Sequence, residues 1–352
     1  MGLKITYTKH TFQFAFDART SRGLMTDKTS WMLNVWDEQY PDERGIGECG
    51  PLPGLSVDAA PDFETRLDAI VNDIMLSGFS AIDVEEQLPC FVPASFPSIR
   101  FGLETALLDL SNGGTRVIYS NDFIAGKPIP INGLIWMGNA GSMLDQVKQK
   151  LDQGFHCLKL KVGGLDFETE CEVIAAVRRY AGNEITIRLD ANGSFPEGAA
   201  LVRLEKLARH NIHSIEQPLM KGSELTATLC EVSPIPIALD EELIGVYELA
   251  AKENLLKAIK PQYIILKPTL HGGLHGCMEW IRLAERLEVG WWITSALESN
   301  IGLNAICQFT ANFNVAIPQG LGTGGIYVNN IQSPLAVSMG NVFHDQTRTW
   351  GN

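Results

Sequence analysis

Five short apolar runs recur along the middle of the chain: CLKLKVG (157–163), TIRLDAN (186–192), SIEQP (214–218), PIALDE (236–241) and YIILKP (263–268). The last four carry charged side chains near their ends, separated by 26, 24 and 27 residues: Asp190, Glu216, Asp240 and Lys267. A strand, a helix and two loops need about that many residues. Because buried parallel strands are apolar throughout, a charge at the end of each lies at one rim of the sheet. The stretch therefore predicts repeated strand–helix units with a charged rim, which is where barrel enzymes work.

Three further runs extend this repeat to eight strands: PINGLIWM (130–137), WWITSALES (291–299) and NVAIPQGLG (314–322). Amphipathic segments of helical spacing separate the runs, although the last of them is irregular. Eight alternating units predict an α/β fold that closes into a barrel rather than an open sheet.

The residues before the barrel predict a second, α+β unit. Alternating runs at 3–16, 29–38 and 45–50 predict an antiparallel meander, with the polar segment 18–23 connecting its first two strands. Helical spacing at 61–76 and 97–110 predicts two helices that cover one face of this sheet. We expect domains at 1–124 and 125–324, and a tail, 325–352, that returns to the first domain.

Composition narrows the class of partner. The chain has 352 residues and a net charge of −13, which disfavours nucleic acid and favours a small molecule. No apolar stretch long enough to span a membrane and no signal peptide is visible, so we expect a cytoplasmic protein without a membrane partner. The seven cysteines show no metal-ligand spacing, which fits reduced thiols. A homo-oligomer is possible.

Three acidic side chains end consecutive predicted strands. Asp190, Glu216 and Asp240 should converge at a partly dehydrated rim, where like charges repel unless they are neutralised. A hard divalent cation with oxygen ligands would neutralise them, and Mg²⁺ suits a set without His or Cys. The alternative is structural, because each acid could instead cap the next helix or pair with a basic neighbour.

Lysines flank these acids on both sides. Lys159 and Lys161 are two residues apart on the second strand and share a face, whereas Lys267 ends the sixth strand, across the barrel. The charge of Lys159 should lower the pKa of Lys161 and make it a useful base. Alternatively, the lysines only pair with the acids and stabilise the barrel.

Histidines near these strands are expected to be solvated or structural. His156 precedes its strand and so lies at the opposite end of the barrel, and His271 and His275 lie beyond Pro268 in a glycine-containing loop.

The spaced Lys-x-Lys, Asp, Glu, Asp and Lys set resembles the enolase superfamily, in its muconate-lactonising subgroup. The resemblance covers nearly the whole chain and implies a modified (β/α)₇β TIM-type barrel with an α+β capping domain built from the N-terminus and the C-terminal tail. It implies Mg²⁺ on Asp190, Glu216 and Asp240, with Lys161 as base and then acid, Lys159 supporting it and Lys267 as the opposed cation. Lysine bases with Mg²⁺ are the known chemistry of this superfamily.

Runs at 45–56, 266–273 and 295–303 are similar to members of the subgroup that dehydrate a cyclic carboxylate. The same resemblance assigns substrate contacts to the loop holding Arg22 and to the ends of strands seven and eight: Ser295, Glu298, Ser299, Gly322 and Thr323. Three acids, one Mg²⁺ and up to three lysines leave a positive site, which indicates a small anionic carboxylate substrate.

Three alternatives remain open on sequence. An N-acylamino acid racemase, or another enzyme of the muconate-lactonising subgroup, would share the catalytic residues. A metal-free aldolase would use Lys267 to attack a carbonyl. A non-catalytic barrel would keep the acids for stability alone.

Overall fold

The computed structural model describes residues 2–20, 23–79 and 84–351. Its N-terminal sheet is the predicted meander, with β1 (Leu3–Thr20), β2 (Gly23–Asp37) and β3 (Gly45–Cys49) antiparallel in that order. The segment 18–23 is not the expected polar connection, because Ala18 pairs with Met25 and the ladder continues to Thr20 and Gly23. The hairpin of β1 and β2 therefore runs to the last described residues on either side of 21–22.

Helices cover one face of this sheet: α1 (Phe63–Leu76), α2 (Val84–Phe91) and α3 (Pro97–Ser111). The sequence predicts α1 and α3, but not α2, which is short and holds Pro89. Backbone contact joins α3 to β3, since a Cβ added at Gly47 would lie 2.0 Å from the carbonyl oxygen of Gly102. Burial of Leu33, Leu67 and Leu103 between the layers fixes this packing.

Seven parallel strands of the described chain form one curled sheet, in order along it: β5 (Gly133–Ile135), β6 (Cys157–Lys161), β7 (Thr186–Asp190), β8 (Ser214–Glu216), β9 (Ile237–Leu239), β10 (Tyr263–Leu266) and β11 (Gly290–Ile293). Helices follow them in turn: α4 (Ala140–Asp152), α5 (Phe167–Ala181), α6 (Glu197–Ala208), α7 (Thr226–Val232), α8 (Leu249–Ile259), α9 (Gly273–Arg286) and α10 (Asn300–Thr310). The predicted barrel class is confirmed.

The eighth strand is reduced to a bridge. Within 314–322, Gln319 bridges Ile131 and Gly320 bridges Thr294, both parallel. The amide of Gln319 donates to the carbonyl of Pro130 at 2.8 Å, and that of Gly320 to Ile293 at 2.8 Å. Two residues thus join the first barrel strand to the seventh, while the preceding proline lacks the donor that a longer ladder would need.

The C-terminal residues make contact in two places. Ala15 of β1 donates to the carbonyl of Ile326, and Val328 donates to Gln13. Further on, β12 (Leu335–Ser338) and β13 (Asn341–His344) form a hairpin, and β13 pairs with β4 (Ile129–Pro130) just before the barrel. The domain limits at 124 and 324 stay a prediction. In the described ranges no helix has the length and apolarity of a membrane span.

Candidate active site

Strand register brings the charged strand ends together. Lys161 pairs across the ladder with Asp190, and Asp190 with Glu216, so the ends of β6, β7 and β8 lie at one level. Glu216 pairs with Ala238 of β9, and Asp240 comes two residues after Ala238, directly after the end of that strand. The repeat read from the sequence therefore corresponds to one physical rim.

Three lysines lie against the three buried acidic side chains. The Nζ of Lys159 lies 2.9 Å from Oδ2 of Asp190 and 2.5 Å from Oε2 of Glu216. The Nζ of Lys161 lies 2.6 Å from the same Asp190 oxygen, and Lys267 donates to Oδ2 of Asp240. These are the ion pairs that the structural alternative predicts, so pairing by itself does not separate a catalytic barrel from a passive one.

Oε1 of Glu216 and Oδ1 of Asp240 are buried without a hydrogen-bond partner among the described residues, and the contact of Oε2 of Glu216 is its ion pair with Lys159. Unpartnered carboxylate oxygens are the ligands that a hard divalent cation prefers. Within the described residues, no three His, Cys, Asp or Glu side chains already converge as a metal cage. The donor chemistry fits Mg²⁺, and the lysines lie against the same carboxylates that would bind it.

The three lysines differ in proton affinity. Burial lowers the pKa of Lys161; the Asp190 carboxylate opposes this shift and the Lys159 ammonium reinforces it. Burial also disfavours charge on Lys159, but Asp190 and Glu216 raise its pKa above the usual range. The pKa of Lys267 is likewise raised, by Asp240 and Glu216 against burial. Of the three, Lys161 is thus the one whose pKa is lowered, and burial is a larger cause of the shift than the predicted effect of Lys159.

Burial and the charge of Asp190 raise the pKa of Glu216 to about 8. A nearby positive charge would stabilise the ionised form of this carboxyl group and lower its pKa again.

Asn192 was missed in the sequence, although it lies two residues beyond Asp190. Its Oδ1 accepts from Nζ of Lys161 at 2.9 Å, and its Nδ2 donates to Glu241 at 3.1 Å. Asn192 lies in the turn directly after β7, with a φ of 44°, and a polar residue in the loop just past a rim carboxylate is the signal that could have found it. Asn192 orients the Lys161 ammonium group towards Asp190.

The histidines lie away from the reacting face. His156 is exposed, and His275 lies 3.5 Å from Glu279. His271 is buried and its Nδ1 accepts from the backbone amide of Lys267 at 2.9 Å. Burial lowers the pKa of His271 to about 3, so this ring is neutral and fixes the backbone at the end of β10.

A cavity of about 330 Å³ opens above the cluster, with Lys159, Lys161 and Lys267 in its wall. The remaining wall is largely apolar and comes from both units of the protein: Leu24, Met25, Leu52, Leu55, Leu134, Trp136 and Leu297. Its volume and mixed lining are those of a small-molecule site.

Three of the predicted substrate residues line this cavity, Ser295, Gly322 and Thr323, and the hydroxyls of Ser295 and Thr323 are 2.6 Å apart. Glu298 and Ser299 lie behind the wall instead. Glu298 is fully buried and accepts from Thr269 and from the amide of Ala296.

Ser299 caps α10 and donates to Glu48 at 2.6 Å, so neither Glu298 nor Ser299 has a free polar group for a ligand. Both side chains support the wall in the described structure, and their predicted substrate contact stays a prediction. Arg22 lies outside the described residues, and its neighbours Gly23 and Leu24 line the cavity.

A parallel barrel with lysines and carboxylates at successive strand ends defines a class of enzymes. Residues 142–341, more than half of the chain, match the family described as enolase C-terminal domain-like, and the chain belongs to this family.

Particular relatives are more specific. The o-succinylbenzoate synthase of Desulfotalea psychrophila is 43% identical, over 96% of this chain and 98% of that protein. The crystal structure of MenC from the same organism superposes with a TM-score of 0.84 at 40% identity, covering 97% of this chain and all of that one (100%). A dipeptide epimerase from Cytophaga hutchinsonii, complexed with Mg and D-Ala-L-Val, shares the fold with a TM-score of 0.84 at 20% identity, over 100% and 95% of the chains.

Proposed function

We propose that this chain dehydrates 2-succinyl-6-hydroxy-2,4-cyclohexadiene-1-carboxylate to o-succinylbenzoate, a step of menaquinone biosynthesis, in the cytoplasm. One observation carries the proposal: Lys161, whose pKa is lowered by burial, shares a small cavity with the cationic Lys267, above three acidic side chains. The similarity to o-succinylbenzoate synthase over nearly the whole chain supports the choice of substrate.

The cavity chemistry suits this substrate. Ammonium groups at the floor attract a carboxylate, while Leu52, Leu55 and Trp136 offer apolar contact to a six-membered ring. We assign the succinyl end to the side of the cavity formed by Ser295, Gly322 and Thr323. Arg22, which lies outside the described residues, stays a predicted contact. Hydroxyl and backbone N–H donors of this kind bind a carboxylate.

Proton removal begins at Lys161. In its neutral form the amine takes the proton from the ring carbon that bears the carboxylate, and the electron pair passes into that carboxylate to give an enediolate. The ammonium of Lys267 lies on the other side of the cavity and stabilises the developing negative charge. Lys159 stays charged between Asp190 and Glu216 and holds both carboxylates in place.

Loss of hydroxide completes the reaction. The electron pair of the enediolate returns to form the ring double bond as the C–O bond of the neighbouring carbon breaks. The ammonium of Lys161 returns its proton to the departing hydroxide, which leaves as water. Because an aromatic ring forms, the second step is strongly favourable. The first proton transfer is therefore the step for which the site must stabilise negative charge.

Asp190, Glu216 and Asp240 would hold the Mg²⁺ ion. When bound there, it supplies a Lewis acid that lowers the cost of placing a second negative charge on the substrate carboxylate. The unpartnered oxygens of Glu216 and Asp240 support this assignment, and so does the Mg named with the dipeptide epimerase of the same fold.

Racemisation of an N-acylamino acid is the second candidate, because one lysine on each side of a bound α-carbon serves proton removal and return equally well. Lys161 and Lys267 line the same cavity from strands separated by three others, β7, β8 and β9.

A steady-state assay with Mg²⁺ decides between them. The cyclohexadiene substrate should be turned over with a higher kcat/KM than any of a panel of N-succinylamino acids. Faster racemisation than dehydration would reverse the assignment. Borohydride trapping of a substrate carbonyl on Lys267, with full activity after metal removal, would instead establish the aldolase alternative.

A further inference from the structure

The wall of the cavity next to Ser295 is a turn in an unusual backbone conformation. Leu297 lines the cavity and has a φ of 62°, in the left-handed region that L-residues rarely adopt. Such a conformation persists only when surrounding groups hold it. Two donors converge on the Leu297 carbonyl oxygen: Nζ of Lys28 at 2.9 Å and the hydroxyl of Tyr327 at 2.7 Å.

Lys28 reaches this carbonyl from the N-terminal sheet. It lies on β2 and is only 2% exposed, with its Nζ 3.9 Å from Oε1 of Glu48. The Glu48 carboxylate, also buried, accepts from the amide and hydroxyl of Ser299 and from the amide of Gly302, all at the start of α10. The Lys28–Glu48 ion pair of the sheet therefore forms hydrogen bonds both to the turn at Leu297 and to the start of the helix that follows it.

A purely structural lysine would not need this arrangement. Burying an ion pair is costly, and apolar residues of similar size often serve stability as well or better. The ammonium is instead directed at a backbone carbonyl that shapes the cavity. The same strand β2 also contributes Leu24 and Met25 to the lining of the cavity.

We propose that Lys28 is a positioning residue for the reaction: it fixes the carbonyl of Leu297 and thereby the wall against which the substrate binds. The inference rests on the proposed function for its kinetic consequence and on the geometry alone for its structural one. Packing of the N-terminal sheet against the barrel and the shape of the cavity wall are then coupled through Lys28.

The structural consequence is tested by hydrogen exchange of the full-length protein without substrate. Lys28→Met keeps the length and apolar stem of the side chain and removes the donor. Amides of residues 296–298 should exchange at least tenfold faster, while those in the middle of α5 keep their rates. Lys9→Met, at an exposed lysine of the same sheet, is the matched control and should leave both segments unchanged.

The kinetic consequence is tested by a double-mutant cycle with Leu297→Gly, because glycine adopts this φ without strain and the turn no longer needs holding. Lys28→Met should raise KM about tenfold in the wild-type background with kcat changed less than about threefold, and raise it less than about twofold in the Leu297→Gly background. Equal increases in both backgrounds, or an unchanged KM with unchanged exchange, would overturn the proposal.

If Lys28→Met does not fold, Tyr327→Phe decides, since it removes the other donor to the same carbonyl and should raise KM in the same direction at retained stability. An unchanged KM in that variant would count against the inference. Absence of both dehydration and racemisation in the wild type would refute the proposed function, while the exchange rates would still decide the role of Lys28.

Discussion

Lys159 and Lys161 lie two residues apart on β6 and yet have opposite shifts in pKa. Lys159 lies between two carboxylates, which raise its pKa, whereas Lys161 contacts Asp190 and the neutral Asn192, and burial lowers its pKa. The residue nearer the rim is therefore the better base, and the deeper one is a permanent cation.

Replacement of Lys161 tests this difference. Lys161→Ala should lower kcat by at least about 100-fold, the usual contribution of a general base. The loss should extend to exchange of the substrate α-proton with deuterated solvent, followed by NMR. Lys206→Ala, which removes a surface lysine paired with Glu168, is the control and should match the wild type. Retention of more than about a hundredth of the turnover would remove Lys161 from the role of base.

At the scale of residues, the sequence predicts which side chains lie at the rim of the barrel, but not which atoms they contact. The rim charges follow from strand periodicity, so Asp190, Glu216 and the lysines could be placed in advance. Glu298 and Ser299 carry the same polar chemistry as Ser295 but point away from the cavity. Their partners, Thr269 and Glu48, are remote in sequence, and Glu48 is 251 residues from Ser299, so no local pattern reports them.

At the scale of elements, helix α3 joins the two units through a buried carboxyl group. Glu104 accepts from the amide of Leu274 at 2.6 Å, at the start of α9. Burial raises the pKa of Glu104 to about 7, from an ordinary value of 4.5, even though this hydrogen bond opposes the shift. The folded protein therefore keeps a proton there that the unfolded chain releases.

Stability should consequently fall as pH rises from about 4.5 to 7, because the unfolded state binds fewer protons over this range. The stabilisation is fully present below the pKa of the unfolded state and is lost as the pH rises through the pKa of the folded state. This loss amounts to roughly 2 to 4 kcal/mol from this one group. Glu104→Gln should remove that part of the pH dependence, measured by urea unfolding at pH 5 and pH 8.

Buried Asp58 and Asp109 have pKa values raised to about 6 and act in the same direction, so the difference between variant and wild type isolates Glu104. Glu64→Gln, at an exposed carboxylate of α1, should keep the wild-type slope. An equal slope in Glu104→Gln and wild type would show that Glu104 is ionised in the folded state.

Sequence periodicity placed the strands that belong to the regular strand–helix repeat, such as β6 and β7. It overestimated the length of the eighth strand. Burial on both faces makes β6 and β7 recognisable as apolar runs. The eighth strand is different, because closure of the barrel needs only the backbone of Gln319 and Gly320, and neighbouring apolar residues at 315–317 mimic a longer strand. Closure depends on the whole sheet and not on local composition.

For the whole molecule, net charge and site charge are separate quantities. The chain carries −13 overall, but the buried cluster places three acidic side chains beside three lysines. The surface charge therefore disfavours nucleic acid without describing the substrate, whose attraction depends on the charges inside the cavity.

Metal binding should be visible in the stability of the whole protein. A cation that binds only the folded state adds about 2.7 kcal/mol at 100 times its Kd, so Mg²⁺ should raise the melting temperature of chelator-treated protein by several degrees. Glu216→Gln should abolish most of this rise while leaving the metal-free melting temperature nearly unchanged, because Lys159 keeps Asp190 as a partner. Asp190→Asn should instead destabilise the metal-free protein, since two buried lysines share that carboxylate.

Calorimetry of the wild type, both variants and the surface control Glu231→Gln, each with chelator and with Mg²⁺, measures these differences without any substrate. The passive barrel predicts another pattern: Glu216→Gln would lower the melting temperature equally with and without the metal. An undiminished Mg²⁺-dependent rise in Glu216→Gln would remove Glu216 from the ligand set, and no rise in the wild type would exclude a stabilising Mg²⁺ site altogether. Because Glu216 Oε1 is buried without a hydrogen-bond partner among the described residues and lies 4.0 Å from Nζ of Lys267, we expect the loss of the metal response to exceed any loss of intrinsic stability.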